Sequence, residues 1–319
     1  MEKQRLKVVT DGSVGDLPMA IRSFERHLRI KNLAPNTIST YVKHLTWFAR
    51  WAGPVDAAQL TRERMEDYIA HLQATTRPAT VANRYRSLQQ FFKWLVDEEE
   101  LDTSPLAKVA RPKVPEIPVP VVSDADLQTL LKSVAGKGFE DRRDNAILRL
   151  FLDCGVRLDE IGRLAVESLD FDVDQVVVWG KGRRPRIVPF DEKTGQALER
   201  YLRERARHSW AGKVFMGDDP DDPREGNHPL WLGARGWLTP SGVYQLVKRR
   251  SRDALGKPVH PHQLRHTAAH QHAAAGMSET DLMRIFGWRS SEMPKRYGSS
   301  AADERAREAK RRLGLGNRL

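Results

Sequence analysis

A proline-rich stretch close to residue 110 constrains the fold of this chain more than any other feature. The segment SPLAKVARPKVPEIPVPVV, residues 104–122, contains five prolines, which alternate with valine towards its end. Proline lacks a backbone donor and disrupts helices, so the segment is neither a helix nor a sheet interior. We predict an extended, semi-rigid linker over 107–122, with a folded domain on each side. The 319 residues of the chain are enough for two such cores.

Four amphipathic segments precede the linker and predict a helical bundle. In the first, LPMAIRSFERHLRI, apolar side chains from Ile21 to Ile30 recur at helical spacing and are expected to face inward. Thr61 is the expected N-cap of the third helix. We therefore predict a four-helix domain over 17–106, preceded by a flexible N-terminus at 1–16.

The segment after the linker predicts a mixed α/β domain over 123–300. Within it, LDFDVDQVVVWGKGRRPRIVPF alternates in polarity around a Gly-Lys-Gly turn, which indicates a β-hairpin with a basic tip. A loop-rich insertion is expected at 210–236. Helices are expected on both sides of these segments: 141–153, 191–207, 241–254, 260–275, 278–286 and 301–312. The predicted fold class is therefore mostly α with a small antiparallel β-sheet.

The composition favours a negatively charged partner inside the cell. A net charge of +11 and a pI near 9.8 suit nucleic acid, although a merely solvated basic surface has the same composition. The single cysteine, Cys154, cannot form a disulfide within the chain, which agrees with a reducing cytoplasm. Neither a signal peptide nor an apolar run of membrane-spanning length is visible, so we expect a cytoplasmic protein without a membrane partner.

A cluster of histidines allows two interpretations. The stretch HPHQLRHTAAHQH, residues 260–272, holds five of the ten histidines. His262, His266 and His270 have the i, i+4 spacing of metal ligands, but no acidic residue lies among them and three such positions drift around a helix. His262 and Arg265 lie one turn apart and can bind one phosphate together. We predict the phosphate site and no metal.

Three further residues are candidates for phosphoryl-transfer chemistry, each with a structural alternative. Arg157 in CGVRLDEI has the planar fork that binds phosphate, but buried arginines usually pair with carboxylates, and Asp159 or Glu160 is at hand. Lys181 can reach a bound backbone from the hairpin tip, or it can simply solubilise a turn. Tyr297 in SEMPKRYGSS is a candidate nucleophile, but its phenol, with a pKa of about 10, needs a base or cations nearby.

The order of these residues carries a resemblance that no single motif has. The set Arg157, Lys181, His262-Gln-Leu-Arg265 and Tyr297 resembles the signature of the tyrosine recombinases, the phage integrase family. CGVRLDEI is similar to the first arginine motif of that family, HQLRHTAAH to the second and FGWRSSEMPKRYG to the nucleophile segment. The resemblance extends to the bundle, with LAPNTISTYVKHLTWFARW, and to the linker, so it covers nearly the whole chain.

The resemblance implies a site-specific recombinase that works through a 3′-phosphotyrosine without a metal, ATP or another cofactor. Tyr297 would attack the scissile DNA phosphate, while Arg157 and Arg265 would bind its non-bridging oxygens. Lys181 would protonate the 5′-oxygen that leaves. His262 would donate to the phosphate and help to accept the tyrosine proton.

Three supporting roles are also implied. Trp288 stands at a position that is more often histidine in the family, and its indole can donate a hydrogen bond but cannot transfer a proton. Glu160 matches a commonly acidic position and would orient the cluster. His266 would support His262 and Arg265.

The implied partners are double-stranded DNA at core recombination sites and three further copies of the chain in a synaptic tetramer, with a monomer free in solution. An accessory DNA-bending or directionality factor is also expected. Only residues 1–16 precede the bundle, so we expect a simple recombinase without an arm-binding domain, most suited to integration or excision of a phage or mobile element. The C-terminal segment 301–319 is expected to dock on a neighbouring subunit. The basic residues expected to contact DNA are Lys43, Arg84, Arg86, Lys108, Arg111, Lys113, Arg183, Arg184, Arg186, Lys248, Arg249 and Arg250.

Other functions stay open on the sequence. A DNA-binding protein could keep this fold without catalysis, but it would be expected to lack one of the catalytic residues. A metal-dependent nuclease centred on the histidines would be inhibited by chelators. The type IB topoisomerases share the chemistry, but the N-terminal bundle resembles the core-binding domain of the recombinases.

Overall fold

The computed structural model describes residues 17–115, 120–180, 184–217, 219, 222–290, 307 and 310–314. Contacts divide the chain into two compact units, with the division between Ile117 and Pro118. The domain ranges predicted from the sequence, 17–106 and 123–300 with the linker 107–122, stay predictions. Within the described ranges, no helix has both the length and the apolar character that crossing a membrane requires.

Within its described residues, the first unit contains four α-helices. They are α1 (Leu17–Ile30), α2 (Pro35–Ala52), α3 (Arg62–Thr75) and α4 (Pro78–Asp97). Prolines begin α2 and α4, where the missing N–H has no helical partner to lose. Thr61 caps α3 as predicted, because its hydroxyl accepts a hydrogen bond from Arg64 N at 3.3 Å.

Aromatic side chains fill the core of this first unit. Phe48, Phe91 and Phe92 have no exposed surface, and Phe92 contacts Phe48 edge to face and Phe91 at a tilt. The expectation that Ile30 faces inward is wrong, because its side chain is 78% exposed. It lies two positions beyond the buried Leu28, which on a helix puts it on the opposite side.

The second unit contains seven helices and two small sheets within the described residues. The elements are α5 (Asp124–Ser133), α6 (Phe139–Asp153), α7 (Leu158–Gly162), β1 (Leu169–Asp170), β2 (Gln175–Gly180), β3 (Arg184–Pro189), α8 (Glu192–Arg205), β4 (Leu232–Gly233), β5 (Gly236–Trp237), α9 (Pro240–Leu255), α10 (Pro261–Ala274) and α11 (Glu279–Phe286). The predicted fold class, mostly α with a small antiparallel sheet, is confirmed. Most of the helix expected at 301–312 lies outside the described residues.

The predicted hairpin is present, and its register decides which side chains face the core. Strands β1, β2 and β3 are antiparallel in that order. Val176 and Val178 of β2 are buried and pair with Val188 and Arg186 of β3. Because side chains alternate along a strand, Arg186 shares the inward face with Val188.

Helix α10 runs through the interior of the second unit, where it packs against α6, α9 and α11. Its small side chains make this close approach possible: Ala268 and Ala269 are fully buried, and Ala273 is 1% exposed. The alanines therefore let α10 pack closely against its neighbours, and this packing fixes the helix that contains His262 and Arg265.

Part of the loop-rich insertion expected at 210–236 is a fixed component of the core. Leu230 and Trp231 are buried, and Tyr201 Oη of α8 donates to Leu230 O at 2.9 Å. Trp231 Nε1 donates to Ile161 O of α7 at 2.7 Å. Since these buried polar groups are satisfied, the segment holds α7 in place rather than forming a surface loop.

A buried ion network joins α6 to α9. Asp144 has no exposed surface and accepts hydrogen bonds from Arg143 Nε at 2.8 Å and Arg250 Nε at 2.7 Å. Arg250 also donates to Asp141 Oδ1 at 2.9 Å. The sequence groups Arg250 with the DNA contacts, but the structure commits its guanidinium to two carboxylates.

Asp144→Ala should lower the free energy of unfolding of the second unit by about 3–5 kcal/mol, because the change removes the buried counter-ion of Arg143 and leaves only the exposed Glu140, 3.9 Å away. Urea titration followed by tryptophan fluorescence measures the difference. Asp172→Ala is the control, at an exposed position after β1, and should change stability by less than about 0.5 kcal/mol. Equal stability of the two variants would contradict the role of the network.

Candidate active site

Arg157 stands at the start of α7 and is fixed from two directions. Its guanidinium donates through Nη1 to Glu160 Oε1 and through Nη2 to Gly287 O, both at 2.8 Å. Its backbone N–H donates to Glu160 Oε2, also at 2.8 Å, which closes the first turn of α7. The side chain is nevertheless 40% exposed. Arg157 is therefore paired with a carboxylate and still accessible to a ligand.

Gly155 allows α11 to approach the end of α6. Its φ of 56° lies in the left-handed region, and a Cβ there would lie 2.2 Å from the Phe286 ring. Arg265 of α10 uses this close approach, because Nη1 donates to Gly155 O and Nη2 donates to Phe286 O. One guanidinium thus joins three segments of the unit.

Glu160 is a buried carboxylate shared by two arginines. It is 4% exposed and accepts two hydrogen bonds of 2.7 Å from Arg186, in addition to those from Arg157. Burial alone would raise the pKa of Glu160, but the hydrogen bonds and charge of Arg186, together with Arg157, lower it to about 2. Glu160 is therefore ionised at neutral pH and orients both guanidiniums.

Arg186 has a different position from the one that the sequence suggests. It was grouped with the DNA contacts of the hairpin, but its side chain is only 13% exposed. Besides the bonds to Glu160, its Nε donates to Ile285 O at 2.8 Å. The cause is the inward register of β3. Arg186 joins the hairpin to α11 and acts as a positioning residue for Glu160.

His262 and Arg265 lie one turn apart on α10, as predicted. Arg265 is 3% exposed, and its Cζ is 5.2 Å from the Phe286 ring centroid and 5.7 Å from that of Trp288. Desolvation lowers the pKa of His262, and the charges of Arg265 and Arg157 lower it further. His262 is therefore neutral at neutral pH and able to accept a proton.

Three other histidines of this stretch have contacts of their own. His266 is 5% exposed, and its ring meets the His262 ring at 4.0 Å between centroids. His260 Nδ1 bonds Tyr244 Oη at 3.1 Å, and His272 Nδ1 bonds a carbonyl of its own helix at 2.8 Å. In the part of the chain that the structure describes, no group of three His, Cys, Asp or Glu side chains is arranged to bind a metal ion.

Trp288 lies beside Arg265. It is 8% exposed and packs on Phe286 with 5.0 Å between ring centroids. In this position it contributes an apolar wall to the cluster, and its sequence-predicted role as a phosphate donor stays a prediction.

Lys181, Arg183 and Tyr297 lie outside the described residues. The neighbour of Lys181, Gly180, ends β2 close to the cluster, since a Cβ on it would lie 3.8 Å from Glu160 Oε1. The end of β2 at Gly180 is therefore next to the buried carboxylate. The roles of Lys181 and Tyr297 stay predictions.

The other predicted DNA contacts differ in exposure. Most are exposed and able to meet phosphate: Lys43, Arg86, Lys108, Arg111, Lys113, Arg184 and Arg249. Arg84 and Lys248 are half-buried. Contact of any of them with DNA stays a prediction.

Sequence reasoning misses the backbone acceptors of this site. Three successive carbonyls at the end of α11 each bind a different arginine: Ile285 binds Arg186, Phe286 binds Arg265, and Gly287 binds Arg157. The last carbonyls of a helix lack helical partners and attract cations. Glycine after the apolar run at 282–286 predicts this helix end, but not which side chains meet it.

Two family profiles match the sequence. The phage integrase family matches residues 121–304, and the N-terminal SAM-like domain of phage integrases matches residues 21–101. The chain belongs to the phage integrase family.

The relatives of this phage integrase family member are tyrosine recombinases. Tyrosine recombinase XerC of Syntrophus aciditrophicus (strain SB) is 26% identical over 291 residues, which cover 87% of this chain and 91% of the relative. Tyrosine recombinase XerC of Xanthomonas campestris pv. campestris (strain B100) is 30% identical over 256 residues, or 78% and 74% of the two chains. The resemblance stated from the sequence is confirmed, and the protein is an enzyme of the site-specific tyrosine recombinase class.

Solved structures of recombinases share the fold. The Tn1549 transposon integrase in complex with transposon right end DNA has a TM-score of 0.70 at 19% identity, covering 90% of this chain and 99% of that chain. XerH site-specific recombinase bound to a palindromic difH substrate has a TM-score of 0.69 at 15% identity, covering 91% and 83%. At these identities the likeness concerns the fold alone.

Glu160→Gln should make the stability of the second unit less dependent on pH. The folded-state pKa of about 2 lies below the ordinary value of 4.5. The ionised carboxylate therefore contributes roughly 3 kcal/mol above about pH 5, and this contribution is lost as the pH falls towards about 2. Urea titrations at a series of pH values should show a steeper loss on acidification for the wild type than for the variant.

Glu199→Gln is the matched control for this experiment. Glu199 is an exposed carboxylate on α8, 3.7 Å from Arg203, and its loss should leave the pH dependence of the wild type unchanged. Parallel pH curves for the wild type and Glu160→Gln would show that Glu160 is not the ionised centre of the cluster.

Proposed function

We propose that this recombinase cleaves and rejoins duplex DNA through a covalent 3′-phosphotyrosine, with Tyr297 as the nucleophile. The observation that supports this most is the approach of Arg157 and Arg265 to the adjacent carbonyls of Gly287 and Phe286, next to His262. Two guanidinium forks this close suit the two non-bridging oxygens of one phosphate. A chain with a net charge of +11 favours the phosphate of a nucleic acid.

In the proposed step, the Tyr297 oxygen forms a bond to phosphorus while the bond between phosphorus and the 5′-oxygen breaks. Lys181 gives a proton to the leaving 5′-oxygen. His262, which its lowered pKa keeps neutral, accepts the phenol proton. Rejoining is the reverse reaction with the 5′-hydroxyl of another strand. The phosphotyrosine retains the bond energy, so no ATP, metal or other cofactor is required.

Supporting residues complete this proposal. Glu160 keeps Arg157 at a fixed angle, and Arg186 fixes Glu160. Trp288 and His266 limit access of water to Arg265 and His262. Trp288 cannot transfer a proton, so the proton steps depend on His262 and Lys181.

The proposed substrate is double-stranded DNA at a core-type site on the nucleoid of a bacterial host. The Tn1549 transposon integrase and XerH, which share the fold, were solved in complex with DNA. We assign DNA clamping to 17–106 and catalysis to 123–300, with the basic linker 107–122 along the backbone. Synapsis of two sites would use a tetramer, helped by an accessory DNA-bending or directionality factor.

We propose integration or excision of a phage or mobile element as the biological role, which membership of the phage integrase family supports. A second candidate is the resolution of DNA dimers, which the likeness to tyrosine recombinases named XerC favours. The two roles differ in where the target lies. Sequencing of DNA covalently attached to the protein in host cells should locate the target, either at the two ends of a mobile element or at a chromosomal site outside one.

A nicked suicide duplex with the mapped target should trap a covalent protein–DNA adduct in the presence of EDTA. Because of the nick, the short fragment that carries the freed 5′-hydroxyl diffuses away, so the DNA strand cannot be rejoined and the phosphotyrosine persists. Tyr297→Phe should abolish the adduct, because the phenylalanine ring has no oxygen to attack phosphorus. Denaturing gel electrophoresis of end-labelled DNA measures the yield.

Tyr244→Phe is the control for this experiment, since Tyr244 is the tyrosine hydrogen-bonded to His260 at the start of α10. It should retain the adduct. An adduct that persists in Tyr297→Phe would refute the nucleophile. Cleavage that leaves no adduct and that EDTA abolishes would favour the nuclease interpretation.

Deletion of 301–319 should reduce tetramer assembly on DNA while cleavage of a suicide duplex by bound monomers continues. The reason is the proposed docking of this segment on a neighbouring subunit. Analytical ultracentrifugation of the full chain and the deletion variant with a two-site duplex measures assembly. Unchanged tetramer formation would rule the docking out.

A further inference from the structure

One face of the first unit combines cations with an aromatic platform. Trp47 of α2 lies under two of them, with Lys43 Nζ 4.8 Å and Arg84 Cζ 4.3 Å from its ring centroid. Arg86, two positions further along α4 than Arg84, is exposed. We call this set, with His44, the α2–α4 face. Lysine and arginine are donors only, so these cations suit phosphate oxygens, which are acceptors only.

His44 is different from its neighbours on the α2–α4 face. Its Nδ1 lies 2.8 Å from Ser87 Oγ, and Ser87 Oγ lies 3.1 Å from Asn83 O. Ser87 has one hydroxyl proton. If that proton goes to Asn83 O, Nδ1 must carry a proton and donate it to Ser87, and both contacts become hydrogen bonds. If Ser87 instead donated its proton to His44 Nδ1, Ser87 Oγ and Asn83 O would be in contact without a proton between them.

The neighbouring charges favour the same tautomer. With a proton on Nδ1, Nε2 presents a bare lone pair, which the positive charges of Lys43 and Arg84 stabilise. Burial, followed by Arg84 and Lys43, lowers the pKa of His44, so the ring stays neutral at neutral pH. His44 Nε2 is therefore an acceptor among donors.

This acceptor is not fully buried. Among the described residues, the buried side-chain atoms without a partner are Tyr68 Oη, Arg84 Nε and Trp237 Nε1. His44 Nε2 is not one of them, and its ring has no hydrogen bond in the described structure other than that to Ser87. The two ring nitrogens diverge, so Nε2 faces away from Ser87, on a side chain that is half-buried.

We propose that His44 determines sequence specificity by accepting a hydrogen bond from the amino group of an adenine or cytosine in the major groove. A bare nitrogen gains nothing from a phosphate oxygen, whereas base edges offer donors at adenine N6 and cytosine N4. A helix fits the major groove, and the cations around His44 bind the backbone on either side. This inference rests on the proposed function, because it takes the DNA of that reaction as the ligand.

The test is selection of bound sequences from a random duplex library by the full-length protein. The wild type should prefer adenine or cytosine at one position of each half-site by about tenfold. His44→Ala should reduce that preference to about twofold or less and leave the other positions unchanged. Ser87→Ala removes the hydroxyl that fixes the tautomer of His44 and should weaken the same preference while the imidazole remains. This variant also tests the proposal if His44→Ala fails to fold.

Lys43→Ala is the matched control on the same helix. It should weaken binding to all sequences alike and reduce the slope of affinity against salt by about one, as expected for a lost phosphate contact. Unchanged base preference in His44→Ala and Ser87→Ala, or a uniform loss like that of Lys43→Ala, would overturn the proposal. Absence of salt-sensitive duplex binding by the wild type would overturn the proposed function itself, a result independent of either variant.

Discussion

The arginine cluster of the candidate site depends on one arrangement: the binding of three arginines to the end of α11. Ile285, Phe286 and Gly287 offer successive carbonyls that no helical N–H satisfies, and each accepts from a different guanidinium. Those guanidiniums come from β3, α10 and the start of α7. A single helix end therefore fixes the relative positions of segments that are far apart in the sequence. Glu160 adds the negative charge that allows two of the arginines to lie so close.

The rest of the second unit supports this arrangement. The alanines of α10 let that helix lie deep enough for Arg265 to reach Gly155. Trp231 fixes α7 through Ile161, so a segment without regular structure contributes to the position of Arg157. Close packing and the hydrogen bonds of buried polar groups thus act together, and the core of the unit holds the site in place.

Much of this was predictable from the sequence, and the failures have physical causes. Periodicity located the helices and the hairpin, and the spacing of His262 and Arg265 correctly placed them on one face of α10. The position of Arg186 was missed because its basic neighbours suggested a surface, although its alternation with Val188 indicated the inward face. The burial of Trp231 was missed because the acidic, proline-containing segment around it resembles a loop. Backbone acceptors leave no trace in side-chain patterns, so no reading of residue types could have assigned them.

The carboxylate of Glu160 also sets the net charge of the cluster. Three guanidiniums, one ionised Glu160 and a neutral His262 leave the described side chains of the cluster with two positive charges. A DNA phosphodiester has one negative charge, whereas the five-coordinate phosphorus of the proposed transition state has two. In the proposed step His262 gains the phenol proton, so the positive charge of the cluster would rise to three while the negative charge on the phosphorus group rises to two. The excess of one positive charge would stay constant, but both opposing charges would grow. Their stronger attraction would lower the barrier without tighter binding of intact DNA.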